Sequence, residues 1–190
     1  MKKISKKPKQ LKASLLIVFL FGIIVGLGYK EIFDVNVWRS FHTETGKVNV
    51  CFTPPSGCGS LIAKEISKAK ESIYIQAFGL TSEPIVEQLI IAKKNGVQIR
   101  ILLDRSNITD KYSKMQELKR AGVDVSIDKV PGIAHNKVMI IDKTKVITGS
   151  FNFTNGADKR NAENVILIDD SNIAETYRQN WLSRKAKNFE

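Results

Sequence analysis

The chain predicts an α/β fold, a mixed-sheet α-β-α sandwich, on three observations. Short runs with period-two apolar alternation recur along it, stretches with a helical apolar stripe fall between them, and glycine or proline marks most of the joints. Val48 and Val50 open the first strand, a proline- and glycine-rich turn follows, and LIAKEISKAK after Ser60 reads as a helix. SIYIQAF places Ile73, Ile75 and Ala77 on one face of a strand. Thr81 and Ser82 are candidate caps for the next helix, with Pro84 in its first turn and Gly96 at its close. VQIRILLD alternates at Val97, Ile99, Ile101 and Leu103, and Tyr112, Met115 and Leu118 form an apolar stripe on a helix that stops at Gly122. VDVSI is another strand, HNKVMIID and KVITGS form a hairpin about Lys143 and Thr144, and ENVILI follows. A last helix carries Ile173, Ala174, Tyr177, Trp181 and Leu182 on one face, with Arg184, Lys185 and Lys187 toward its C-terminal end.

A length of 190 residues accommodates one domain and a short extension, and 43% hydrophobic with 26% charged residues excludes wholesale disorder. The net charge of +11 draws heavily on Lys2, Lys3, Lys6, Lys7, Lys9 and Lys12. Without these six, 24 basic residues face 19 acidic ones, a surplus that does not choose between nucleic acid and a lipid surface. Residues 13–29, ASLLIVFLFGIIVGLGY, are uncharged and apolar behind that basic start. Residues 1–29 therefore read as a signal peptide of a secreted protein, or as an uncleaved membrane anchor with the lysines in the cytoplasm. Residues 30–46 have no sustained period and read as a tether, and the catalytic domain spans 47–190. In an exported chain Cys51 and Cys58 form a disulfide or remain two buried thiols. No His, Asp or Glu lies between them to suggest a metal site.

The chemistry concentrates in His135, Lys137 and Asp142, spaced HxKxxxxD, followed by Gly149, Ser150 and Asn152 as GSxN. On a strand His135 and Lys137 share a face, and a hairpin can return Ser150 and Asn152 beside them. Imidazole supplies a nucleophile or proton carrier, Lys137 a fixed positive charge and Asn152 an amide donor, a set suited to a phosphate diester. Glu163 is placed to accept from the imidazole Nδ1–H and leave Nε2 free to attack. Asp104 and Arg105 at a strand end read as a local pair outside the site, Gln76 is undecided, and Lys159 and Arg160 touch phosphate or merely solvate a loop.

These residues resemble the HKD motif of the phospholipase D superfamily. The resemblance extends over nearly all of 47–190, through CFTPPSGC, SIYIQAFGLTS, ILLDRSN and GIAHNKVMIID to NAENVILI. It is closest to the short single-motif phospholipases D of obligate intracellular bacteria, with single-motif bacterial endonucleases next. The resemblance implies a phosphohistidine mechanism with no cofactor and no metal. In it His135 attacks phosphorus, Lys137, Ser150 and Asn152 bind the phosphate, and Asp142 and Glu163 complete the catalytic set. In-line displacement places attacking and leaving groups on opposite sides of phosphorus, so a second imidazole must protonate the leaving oxygen. The other histidine, His42, falls in the tether, and the chain has no internal repeat. A homodimer with a shared active site is therefore expected. The expected activity is hydrolysis of phosphatidylcholine to phosphatidic acid and choline by a secreted virulence factor. The alternative is an endonuclease acting on DNA or RNA with the same residues. A catalytically silent membrane- or nucleic-acid-binding scaffold is a third reading, disfavoured because every chemical group is present.

Overall fold

The structure is a computed structural model that describes residues 39–42, 47–55 and 57–187. Two compact units divide the chain, Met1–Asn36 and Val37–Glu190, and the described residues all belong to the second. The expected leader and most of the tether lie outside them. Among the described residues no helix is long and apolar enough to cross a membrane.

Eight strands form one sheet in the order β1-β2-β8-β7-β6-β3-β4-β5. They are β1 (Arg39–His42), β2 (Lys47–Thr53), β3 (Ser72–Ala77), β4 (Gln98–Leu103), β5 (Asp124–Ile127), β6 (Lys137–Ile141), β7 (Lys145–Gly149) and β8 (Glu163–Asp169). The pairs β3–β4 and β4–β5 are parallel and the rest antiparallel, so the sheet is mixed as expected. β1 corrects one boundary: part of the expected tether pairs with β2 along the sheet edge, from Arg39 opposite Val50 to His42 opposite Lys47. An edge strand is held by backbone pairing from one side only, so it need not carry the two-sided apolar pattern of an inner strand.

The inner strands are buried on both faces. Ile73, Ile75, Ile99, Ile101, Met139 and Ile147 face a core closed by α1 (Cys58–Ile66), α2 (Glu83–Lys94), α3 (Met115–Arg120) and Ala157 of α4 (Asn155–Lys159). On the other face Tyr74, Leu102, Val138, Ile140 and Val146 pack against Ala174 and Trp181 of α5 (Ser171–Ala186). The Trp181 indole N–H donates to the Ile75 carbonyl at 2.9 Å, so its one polar atom is satisfied at full burial. Cys51 and Cys58 are joined by a disulfide, with Cα atoms 6.0 Å apart, which ties the end of β2 to the start of α1. Tyr112 departs from its expected place on a helix: α3 begins only at Met115, and Tyr112 is exposed in the preceding turn. Asp110 accepts from its backbone N–H at 2.9 Å, an Asx turn that competes with helix.

The β6–β7 hairpin turns through Asp142, Lys143 and Thr144, the first two at positive φ, with the Thr144 N–H donating to the Ile141 carbonyl at 3.1 Å. The Asp142 carboxylate accepts from the backbone N–H groups of Lys70, Glu71 and Ser72 at 2.8, 2.8 and 3.0 Å, fastening the turn to the start of β3. Asp142→Ala removes a charged acceptor from three amides and should cost about 2 kcal/mol in denaturant unfolding. Asp142→Asn should cost less, since it keeps one acceptor oxygen and tolerates the turn. Both variants should retain turnover under native conditions, and a selective loss of turnover in a fully folded Asp142→Ala protein would contradict this assignment.

Candidate active site

Three strand registers bring the chemistry to one edge of the sheet. Lys137 at the start of β6 lies opposite Ala77 at the end of β3, Gly149 at the end of β7 lies opposite Val165, and Glu163 starts β8 opposite Thr53. His135 is not itself on the strand. It sits two residues before β6 in an exposed loop, with Phe78 edge-on to its ring at 4.8 Å between centroids. Phe78 was missed in the sequence because a lone aromatic after a strand carries no chemical signature. Here it also lies beneath the Lys137 ammonium at 5.4 Å.

Lys137 is buried, and its Nζ donates to the His135 carbonyl at 2.8 Å. Burial pushes its ammonium below the ordinary lysine range, and the nearby Glu163 carboxylate works in the opposite direction. A cation held in a partly dry setting beside an imidazole is suited to meeting the charge of a phosphodiester.

Ser150 and Glu163 are joined to each other: the Ser150 hydroxyl donates to Glu163 and accepts from the backbone N–H of Asn164 at 3.0 Å. The other Glu163 oxygen accepts from the Asn161 amide at 2.9 Å. These contacts revise two expectations. The hydrogen bonds of Glu163 run to Ser150 and Asn161 rather than to His135, and the Ser150 proton is committed to Glu163 rather than offered to phosphate. Gly149, at φ +143°, allows this junction, since a Cβ there would collide with the Asn164 carbonyl oxygen. Asn152 contributes a buried side-chain oxygen with no hydrogen-bond partner, and a half-turn of that amide presents its NH₂ instead. Asp142 is corrected outright as a member of the site. The five residues of β6 separate it from Lys137 by about 17 Å of strand, because a strand rises ~3.3 Å per residue.

Asp104 and Arg105, set aside in the sequence, hold the histidine loop. Arg105 Nη2 donates to the carbonyls of Val130, Pro131 and Gly132, the latter two at 2.9 and 2.6 Å. Buried Asp104 accepts from the Ala134 N–H at 2.7 Å and the Ser106 N–H at 2.9 Å. Burial opposes its charge, but the hydrogen bonds from Ser106 and Ala134 and the nearby Arg105 hold its carboxyl below the usual range. Asn107 extends the clamp by donating to the Phe78 carbonyl at 2.7 Å. Arg184 of α5 forms a forked pair with buried Asp128 at 2.6 and 3.2 Å, securing the start of the same loop. A cavity of about 410 Å³ opens there, lined by His135, Asn136, Ile133, Asn180 and the Asp128–Arg184 pair. Gln76, buried beneath it, bonds Asn136 and Asn180 at 3.3 and 3.4 Å and so braces the floor. Among the described residues no three His, Cys, Asp or Glu side chains converge as a metal site would require.

Comparison with known proteins agrees with this geometry. The family described as cardiolipin synthase, PLD-like domain, matches residues 62–184. The phospholipase D of Rickettsia bellii is 52% identical over 199 aligned residues, covering 96% of this chain and 99% of the relative. That of Rickettsia conorii is 66% identical over 142 residues, 75% of this chain and 71% of the relative. Among solved structures, the phospholipase D family member Nuc from Salmonella typhimurium superposes with a TM-score of 0.70 at 34% identity, covering 73% of this chain and 93% of its own. An imidazole, a buried ammonium and an amide at one sheet edge, matched over most of the chain by such relatives, mean that the protein is a phosphodiesterase and belongs to the phospholipase D superfamily.

Proposed function

We propose that the protein is an exported phospholipase D that hydrolyses phosphatidylcholine to phosphatidic acid and choline. The observation that carries the phospholipid is the likeness to Rickettsia bellii phospholipase D over 99% of that relative's length. The Cys51–Cys58 disulfide supports export, since such bridges persist in oxidising compartments. An apolar leader or retained anchor in residues 1–29 fits the same address.

In the first step His135 Nε2 attacks phosphorus, the P–O bond to choline breaks, and an imidazole on the far side gives its proton to the departing oxygen. In the second, that imidazole takes a proton from water, the hydroxide attacks phosphorus, and the P–N bond breaks to release phosphatidic acid. Lys137 and Asn152 hold the phosphoryl oxygens, while Glu163 and Ser150 brace this edge and Phe78 limits tilting of the nucleophile. The second imidazole is His135 of another copy, related by a two-fold axis.

His135→Asn should lower choline release from phosphatidylcholine vesicles by at least ~10³-fold, and excess chelator should leave the wild type unaffected. Cleavage of DNA but not of vesicles, lost in the same variant, would replace the lipid substrate with nucleic acid. Sedimentation should find a dimer, and a fully active monomer would refute the shared site. Arg105→Ala should reduce kcat about 100-fold, the scale of an ångström-sized misplacement, with little change in KM. An unchanged kcat would remove the clamp from the positioning of His135.

A further inference from the structure

The three most exposed large hydrophobic side chains among the described residues are Tyr112, Ile133 and Ile108, at 67, 64 and 59% exposure. They gather in two loops at one end of the molecule. Ile108 and Tyr112 follow β4, whose last residue Leu103 pairs with Ala77, and Ile133 lies two residues before His135. The loops are fastened together, since Arg105 and Asp104 of the first hold the backbone of Val130 to Ala134 in the second. Three apolar side chains on clamped loops form a preset surface, and no folding event is needed to present them.

The charges around this surface select its partner. A groove of about 780 Å³ runs between the Tyr112 turn and the residues after Asn152. Lys111, Arg120 and Arg160 line it and, among the described residues, have no acidic partner within salt-bridge distance, whereas in the same wall Glu83 and Glu117 are engaged by Lys114 at 2.6 and 3.1 Å and Asp110 accepts from the Tyr112 N–H at 2.9 Å. Lys111 Nζ lies over the Tyr112 ring at 4.9 Å. Exposed aliphatic tips, a tyrosine and cations on linked loops suit the acyl boundary and phosphate layer of a bilayer.

We propose that Ile108, Tyr112 and Ile133, flanked by Lys111, Arg120 and Arg160, form an interfacial surface that seats the catalytic edge of the sheet on a phospholipid bilayer. This rests on the phospholipid reading of the site and adds how a headgroup inside a membrane reaches His135. A soluble diester bypasses the surface, and a bilayer substrate does not.

The test uses the full chain and a local probe, so that residues 1–29 do not dominate the signal. Measured against the wild-type emission of Trp38 and Trp181, the fluorescence added by Tyr112→Trp should be quenched by vesicles of phosphatidylcholine with brominated acyl chains, and that added by Ile91→Trp, on α2 away from this end, should not. Replacing Ile108 and Tyr112 together with Ser, and leaving Ile133 beside His135 intact, should lower vesicle turnover by about 100-fold, given roughly tenfold per buried apolar side chain. Hydrolysis of bis(p-nitrophenyl) phosphate should stay within about twofold. Equal quenching at positions 112 and 91, or parallel losses on both substrates, would overturn the surface. Dissociation of a dimer by the double substitution would also overturn it, reassigning the patch to a subunit contact. Quenching at 112 without choline release from the wild type would uphold the surface and overturn the phosphatidylcholine reading.

Discussion

The antiparallel pairing of β6 with β3 is the constraint on which the site depends. It sets Lys137 against Ala77 at the sheet edge and alternates the two faces of β6 between separate cores, Met139 toward the four-helix side and Val138 and Ile140 toward α5. A slip of one residue would send Lys137 to the opposite face and exchange the two apolar sets of β6 between the cores, so burial on both sides enforces the register. Asp142 serves the same end from a distance. By binding the amides of Lys70, Glu71 and Ser72 it fixes the turn end of the hairpin, and the register then carries that position to the catalytic end.

The strand ends short of His135, and a second constraint takes over there. His135 sits on a loop whose carbonyls are bound by Arg105 and whose amide at Ala134 is bound by Asp104, with Phe78 against the ring. Loops present reactive groups because their side chains are not consumed by a core, and they can do so accurately only when the backbone is satisfied by fixed partners. Burying Asp104 strengthens its bonds to those amides, so the carboxylate keeps its charge despite the loss of solvent.

The sheet edge also explains a division of labour among the polar residues. Burial pushes the Lys137 ammonium below the ordinary lysine range, and the neighbouring Glu163 carboxylate works against that shift. Ser150 and Glu163 consume each other's hydrogen-bonding capacity, while Asn152 keeps a buried oxygen unmatched by the protein. Groups with saturated partners hold the frame.

Much of the fold was legible because alternation in Ile73, Ile75 and Ala77, or in Ile99, Ile101 and Leu103, reports a strand buried against a helix layer whatever the wider topology. The β6–β7 hairpin was legible for the same local reason, and His135, Lys137 and Asn152 were legible because their chemical types and spacing are rare together. What the sequence by itself determined was this alternation of elements and the residue types for phosphodiester chemistry. Only the tertiary structure decided that Asp142 braces a turn, that Glu163 binds Ser150 and Asn161, and that Asp104 and Arg105 hold the loop of His135 with Phe78 against its ring. Each of those assignments joins residues from separate elements, from Arg105 and Pro131 to Lys70 and Asp142. Local periodicity contains no information about which partner a charged side chain will meet across such separations, because that is set by the packing of the whole sheet.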